Sequence, residues 1–205
     1  MISRRRRRRL LKVEDDDASE SEFRHERAHI PATYTYDEFV ANIDPDSTRF
    51  ELIDGFIVLR LAGTERHADI ITNLTAALAA TARAHGCRVR TESLLRCESD
   101  DKQGPMPDVA VYCEEPTSGT HVGSVNPCLI IEVVSPSSGG LDRVTKRDIY
   151  MAIPTVRAYL VVDPLDRSVT AHFQGSTFSH RYEGDSRAIT LGCPPATLSL
   201  AEVFN

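Results

Sequence analysis

The sequence predicts an α/β domain, an α+β mixed β-sheet flanked by helices, and three observations carry that prediction. Two short apolar runs, Met-Pro-Asp-Val-Ala-Val-Tyr-Cys (106–113) and Cys-Leu-Ile-Ile-Glu-Val-Val-Ser (128–135), are rich in β-branched residues and bounded by Pro, Gly and Ser. They read as strands buried in a sheet. A helical pattern over 64–85 and another over 141–153 separate groups of such strands, so helices pack on a sheet rather than on each other. The 205 residues suffice for one real core with tails.

Residues 1–30 hold Arg4 to Arg9, then Glu14-Asp15-Asp16-Asp17, with no apolar periodicity. Such a segment buries too little surface to offset its ordering entropy and is expected to be a disordered charged tail. The domain proper is expected over 31–205. Thr35-Tyr36-Asp37-Glu38 is a capping box that opens a short helix to about Ile43. Arg49 to Ile53, Asp54-Gly55 and Phe56 to Leu59 form a hairpin with a two-residue type I′ turn. Thr64 caps a helix to His85 with Gly86 after its end, and His67, Ile71, Leu74 and Leu78 share its inward stripe. Strands are expected at about 87–91 and 93–97, then the two acid-bearing strands, a helix from Leu141 to Ile153 stopped by Pro154, and a strand from Arg157 to Asp163. A hairpin over 168–173 and 177–183 and a short helix from Leu198 to Phe204 close the chain. The expected order is α, ββ, α, ββββ, α, βββ, with the closing helix after it.

Composition narrows the function classes. No stretch of about 18 apolar residues exists, so no membrane-spanning helix is expected. Leu10 and Leu11 are too short an apolar core for a signal peptide, which points to a cytoplasmic protein. The five cysteines, Cys87, Cys97, Cys113, Cys128 and Cys193, form no C-x-x-C pair. They are expected as buried reduced thiols and do not read as a zinc site. Residues 1–30 carry nine Lys/Arg against seven Asp/Glu, leaving 15 against 23, a net −8, in residues 31–205. A broad basic surface for gripping phosphates is therefore not expected. There is no P-loop, Rossmann fingerprint or His-Glu-x-x-His, and Ser135-Pro136-Ser137-Ser138 lacks a nucleophile elbow.

The chemistry points to carboxylates at the strand mouths. Asp108 shares a face with Ala110 and Tyr112, and Glu132 with Ile130 and Val134, so neighbouring strands would bring the two acids together. Buried as a pair they repel each other, raising one pKa unless a cation intervenes. A hard, oxygen-liganded divalent metal is the leading explanation. Glu51, in mid-strand between Phe50 and Leu52, is a third candidate ligand. On the 141–153 helix, Asp142, Lys146, Ile149, Tyr150 and Ile153 share one face, which turns Lys146 toward the sheet. Carboxylates, a metal and a lysine suit phosphodiester hydrolysis. An ion pair of Glu132 with Lys146, without metal, is the plainer alternative.

The same residues carry a resemblance. Arg49 to Gly55, Pro107 to Val111, Ile131 to Ser137, Asp142 to Lys146 to Tyr150, and Tyr159 to Asp163 closely resemble the Uma2 family, grouped with the PD-(D/E)XK nuclease superfamily. The resemblance covers roughly residues 31–205. It implies a restriction-endonuclease-like core and a Mg²⁺-dependent (or Mn²⁺-dependent) endonuclease acting on DNA. Asp108 matches the acid of the PD motif, Glu132 that of the (D/E)XK motif, and Glu51 the acid before the Asp-Gly turn. The superfamily's lysine position, two after the glutamate, is Val134 here, and Lys146 on the following helix resembles a migrated substitute. By analogy with restriction-like nucleases a homodimer is expected. The competing functions are a catalytically silent scaffold with the same fold and a metal-dependent phosphodiesterase acting on RNA or nucleotides.

Overall fold

The computed structural model describes residues 33–43, 50–60, 63–114, 123–134 and 140–205, with the backbone alone from 140 to 143. The 1–30 tail, the Ser135–Ser138 loop and the Asp142 side chain lie outside the described residues.

The chain opens as its capping signals dictate. Thr35 caps α1 (Tyr36–Asn42): its hydroxyl accepts the Glu38 N–H while the Glu38 carboxylate accepts the Thr35 N–H at 2.9 Å. β1 (Phe50–Ile53) and β2 (Phe56–Leu59) pair antiparallel in their own two-stranded sheet. Asp54 and Gly55 between them both adopt positive φ, 52° and 80°, as a type I′ turn requires. Thr64 caps α2 (Glu65–Ala84), and Gly86 at φ 70° ends it.

A six-stranded sheet follows: β3 (Arg88–Thr91), β4 (Val109–Tyr112), β5 (Leu129–Val133), β6 (Ala158–Asp163), β7 (Ser168–Phe173) and β8 (Ser179–Glu183), adjacent in that order. Only β5 and β6 run parallel, because α3 (Gly140–Met151) carries the chain back between them. Side-chain alternation feeds two cores. Val109, Val111, Leu129, Ile131, Leu160 and Val162 pack toward α2, while Ala110, Tyr112, Ile130, Tyr159 and Val161 pack toward Tyr150 and Ile153 of α3. The domain is thus an α+β mixed sheet covered by helices on both faces.

Three local expectations need correction. Residues 93–97 do not form a strand: Glu92, at φ 46°, ends β3, and the next segment makes only a single bridge, Leu95 to Ser124. The inward stripe of α2 is Ile70, Leu74, Leu78 and Ala82; Ile71 is only partly buried beside it. A further hairpin, β9 (Ala188–Gly192) and β10 (Pro195–Ser199), precedes the last helix, α4 (Leu200–Val203). Its inward Ile189, Leu191 and Leu198 seal the α2 side of the core. Cys193-Pro194 is the two-residue turn of this hairpin.

The cysteines also depart from expectation. Cys87 is bonded to Cys113 and Cys128 to Cys193, and Cys97 alone is free and buried. Cysteine usage therefore does not point to a reducing compartment. No helix among the described residues is long and apolar enough to cross a membrane.

Candidate active site

Three elements deliver the acids to one end of the sheet. Asp108 stands just before β4, Glu132 near the end of β5, and the two ends adjoin because β4 and β5 are antiparallel neighbours. Asp108 Oδ2 accepts the Val133 N–H at 2.7 Å, which locks the acid of one strand to the backbone of the next. Glu51 reaches in from β1, its Oε1 accepting the Met106 N–H at 2.8 Å. All three carboxylates are buried, Asp108 at 2 % and Glu51 at 4 % exposed.

Lys146 enters from α3, as its helical face predicts. Its ammonium donates to Glu51 Oε1 at 2.9 Å and to Glu132 Oε1 at 3.1 Å, so these two oxygens lie within about 6 Å of each other. Tyr150, one turn further along, donates its hydroxyl to Glu132 Oε1 at 2.7 Å. Among the described residues, the hydrogen bonds to Glu51 and Glu132 all fall on Oε1.

Two basic residues join the cluster that sequence reasoning did not place there. Arg60, directly after β2, donates to Asp108 Oδ1 at 2.8 Å and lies 3.9 Å from Glu51 and 3.7 Å from Glu92. Its Nη1 is buried with no hydrogen-bond partner among the described residues. A basic residue closing the hairpin that holds Glu51 was the available signal. His67, on the first turn of α2, sits 3.4 Å from Asp108 Oδ2; its position was legible, its partner was not. The acids are neighbours rather than a closed cage: among the described residues, no three Asp, Glu or His ligand atoms converge within 4.8 Å.

The electrostatics follow from burial and neighbours. Burial pushes the Glu132 carboxyl up to about 7, against the charge of Lys146 and with help from Asp108 and Glu51. Burial also acts against the Asp108 carboxylate, but bonds from His67 and the Val133 N–H, with the charges of His67 and Arg60, hold it below the usual range. Its hydrogen bond to Asp108 raises His67 above the ordinary histidine value. Lys146 is disfavoured by burial yet stays above the usual lysine range because Glu132 and Glu51 face it. The site therefore combines one firmly ionised acid, one acid poised near neutrality and a firmly charged lysine.

Glu132 makes stability depend on pH in a defined direction. From 4.5, its ordinary value, up to about 7, the folded chain keeps a proton that the unfolded chain releases. Its favourable contribution is complete in acid and is lost as pH rises through about 7. His67, also raised, acts with the same sign at the upper end of that window. Urea unfolding at about pH 5 and about pH 8 is expected to show a larger loss of stability for the wild type than for Glu132→Gln. An equal loss in both would show that Glu132 is ionised throughout.

A mixed sheet between helices, with buried acids and a lysine gathered at its strand mouths, defines an α+β domain with a charged site at one end of its sheet. The chain belongs to the Uma2 family: the family model, described as "Putative restriction endonuclease", matches residues 36–201. Two Synechocystis proteins are similar to it, "Uncharacterized protein sll1609", 27% identical over 128 residues, and "Uncharacterized protein slr1290", 25% identical over 139 residues. The first alignment covers 62% of this chain and 72% of the relative, the second 66% and 73%. Among solved structures, a putative nuclease belonging to DUF820 from Anabaena variabilis superposes with a TM-score of 0.69 at 16% identity, over 83% of this chain and 97% of that one. At that identity the likeness establishes the fold.

Proposed function

We propose that this protein is a Mg²⁺- or Mn²⁺-dependent endonuclease that hydrolyses DNA phosphodiester bonds, with residues 31–205 as its PD-(D/E)XK-type domain and 1–30 as a tail. The observation that carries the reading is Lys146 spanning Glu51 and Glu132 next to an Asp108 held ionised. The donor set fits a hard cation: three buried carboxylates supply oxygens only, and no described group bonds Oε2 of Glu51 or Glu132. Asp108, Glu132 and Glu51 would hold the ion. When bound, it supplies Lewis-acid polarisation of the phosphate and a more acidic water.

The chain's own groups do the rest. Lys146 brings a fixed positive charge to where negative charge develops on the phosphate oxygens. Lys146, bonded to Glu51 and Glu132, also stands where it can orient the attacking water, and the Tyr150 hydroxyl fixes the Glu132 carboxylate. His67 and the Val133 N–H fix the Asp108 carboxylate. Arg60 competes for Asp108 and Glu51, so it neutralises the acids before a cation arrives and can then turn toward phosphate. The short apolar segment after Arg4 to Arg9 supports a cytoplasmic setting, and a homodimer would let two sites cut both strands.

One observation favours a second reading, a silent scaffold: Arg60 and Lys146 together already compensate the buried acids. Incubation with supercoiled plasmid, linear duplex and single-stranded RNA in Mn²⁺ separates the readings. Plasmid nicking or linearisation that EDTA abolishes is expected. Cleavage of RNA alone would move the substrate to the third reading, and no cleavage of any would leave the scaffold.

A further inference from the structure

At the opposite end of β4 and β5 from the acids, three sulfurs meet, and a fourth, that of Cys87, is bonded to one of them. Cys87 follows α2, Cys113 follows β4, Cys128 precedes β5, and Cys193 lies in the turn between β9 and β10. Cys87 is bonded to Cys113 and Cys128 to Cys193, yet the two pairs also touch. Cys113 Sγ lies 3.5 Å from Cys128 Sγ and 3.3 Å from Cys193 Sγ, and the sulfurs of Cys113, Cys128 and Cys193 all fall within 4.8 Å of one another.

Two staples have no need to touch, because each constrains the unfolded chain through its own loop. A single tetrahedral centre does need it. Metal–sulfur bonds of about 2.3 Å give sulfur–sulfur edges of about 3.8 Å, and the contacts between the pairs come within about half an ångström of that. The scaffold around them is rigid. The Cys128 N–H donates to Val111 O and the Cys87 N–H to Ala82 O, both at 2.8 Å, so sheet register and the helix end position the ligands. The donors are sulfur only, which selects a soft or borderline ion and rejects the hard cation suited to the acids. Cys87 and Cys128 are buried, whereas Cys113 and Cys193 are partly open to solvent and offer a way in.

We propose that the reduced form of this cluster is a structural zinc site, one Zn²⁺ held by the thiolates of Cys87, Cys113, Cys128 and Cys193, and that the two disulfides are its oxidised, metal-free form. Each disulfide takes two electrons and two protons from a dithiol, which leaves as a disulfide, and zinc then displaces the four thiol protons. In the reverse direction two molecules of hydrogen peroxide accept four electrons and four protons, become four waters, and the zinc departs. Cys97 takes no part, being buried in the other core.

The full chain, reduced with a phosphine and freed of metal without air, is titrated with Co²⁺. One equivalent is expected to produce the visible ligand-field bands and the thiolate-to-cobalt charge-transfer band of a tetrahedral tetrathiolate, and Zn²⁺ should bleach both. Cobalt on the carboxylates lacks the thiolate band. Peroxide treatment of the zinc form should release the metal while titratable thiols fall from five to one. Cys97→Ser should leave the bands unchanged, and Cys113→Ser should bind cobalt more weakly with a lower charge-transfer intensity per cobalt. Absence of the thiolate band in the reduced wild type, or an undiminished band in Cys113→Ser, overturns the proposal and leaves disulfide staples only. The wild-type titration decides the matter even if Cys113→Ser fails to fold.

Discussion

Asp108→Asn is expected to lower divalent-cation-dependent plasmid cleavage by at least ~100-fold while the domain stays folded. The amide keeps the shape of the carboxylate and can still accept the Val133 N–H that ties β4 to β5. What disappears is an acid whose pKa its surroundings hold below the usual carboxylate range. Arg60 retains Glu51 and Glu92 as nearby anions, so the guanidinium is not stranded. Circular dichroism checks the fold and plasmid nicking in Mn²⁺ checks the activity. Wild-type nicking by the variant would reduce Asp108 to a strand-end cap.

Lys146→Met carries the largest expected cost to stability. The lysine is the cation shared by Glu51 and Glu132, with only 15% of its side chain exposed. Deleting it leaves two buried acids facing each other, and removing one partner of a buried pair costs about 3–5 kcal/mol. The loss is expected at about pH 8, where Glu132 would otherwise be ionised. It should shrink markedly at about pH 5, where that acid takes up a proton and no longer needs the cation. Lys146→Arg keeps the charge and should recover most of the stability. Urea melts at the two pH values measure this. A small loss that does not vary with pH would mean the lysine is not neutralising Glu132.

Much of this arrangement was legible because it is written locally. The Thr35–Glu38 capping box, the Asp54-Gly55 turn and the strand alternation that turns Glu132 toward Tyr150 each depend on residues within a few positions. Lys146 could be aimed at the sheet because helical periodicity groups it with Tyr150 and Ile153. What escaped is long-range. Arg60 meets Asp108 across 48 positions, and the two bonded cysteine pairs reach from Cys87 to Cys193. No local pattern encodes such a meeting. The missed β9–β10 hairpin has the same origin: its short alternation gains meaning only once Ile189 and Leu191 find the α2 core. The 93–97 segment failed the other way: its expected pairing shrinks to the single bridge from Leu95 to Ser124.

The central claim is that Asp108, Glu132 and Glu51 together bind one divalent cation, and calorimetric titration with Mn²⁺ tests it most directly. The oxidised protein is the form to use, since its disulfides leave only Cys97 as a thiol. The account predicts saturable binding of one Mn²⁺ to the wild type and none to Asp108→Asn. No binding to the wild type, or equal binding to both proteins, would contradict it.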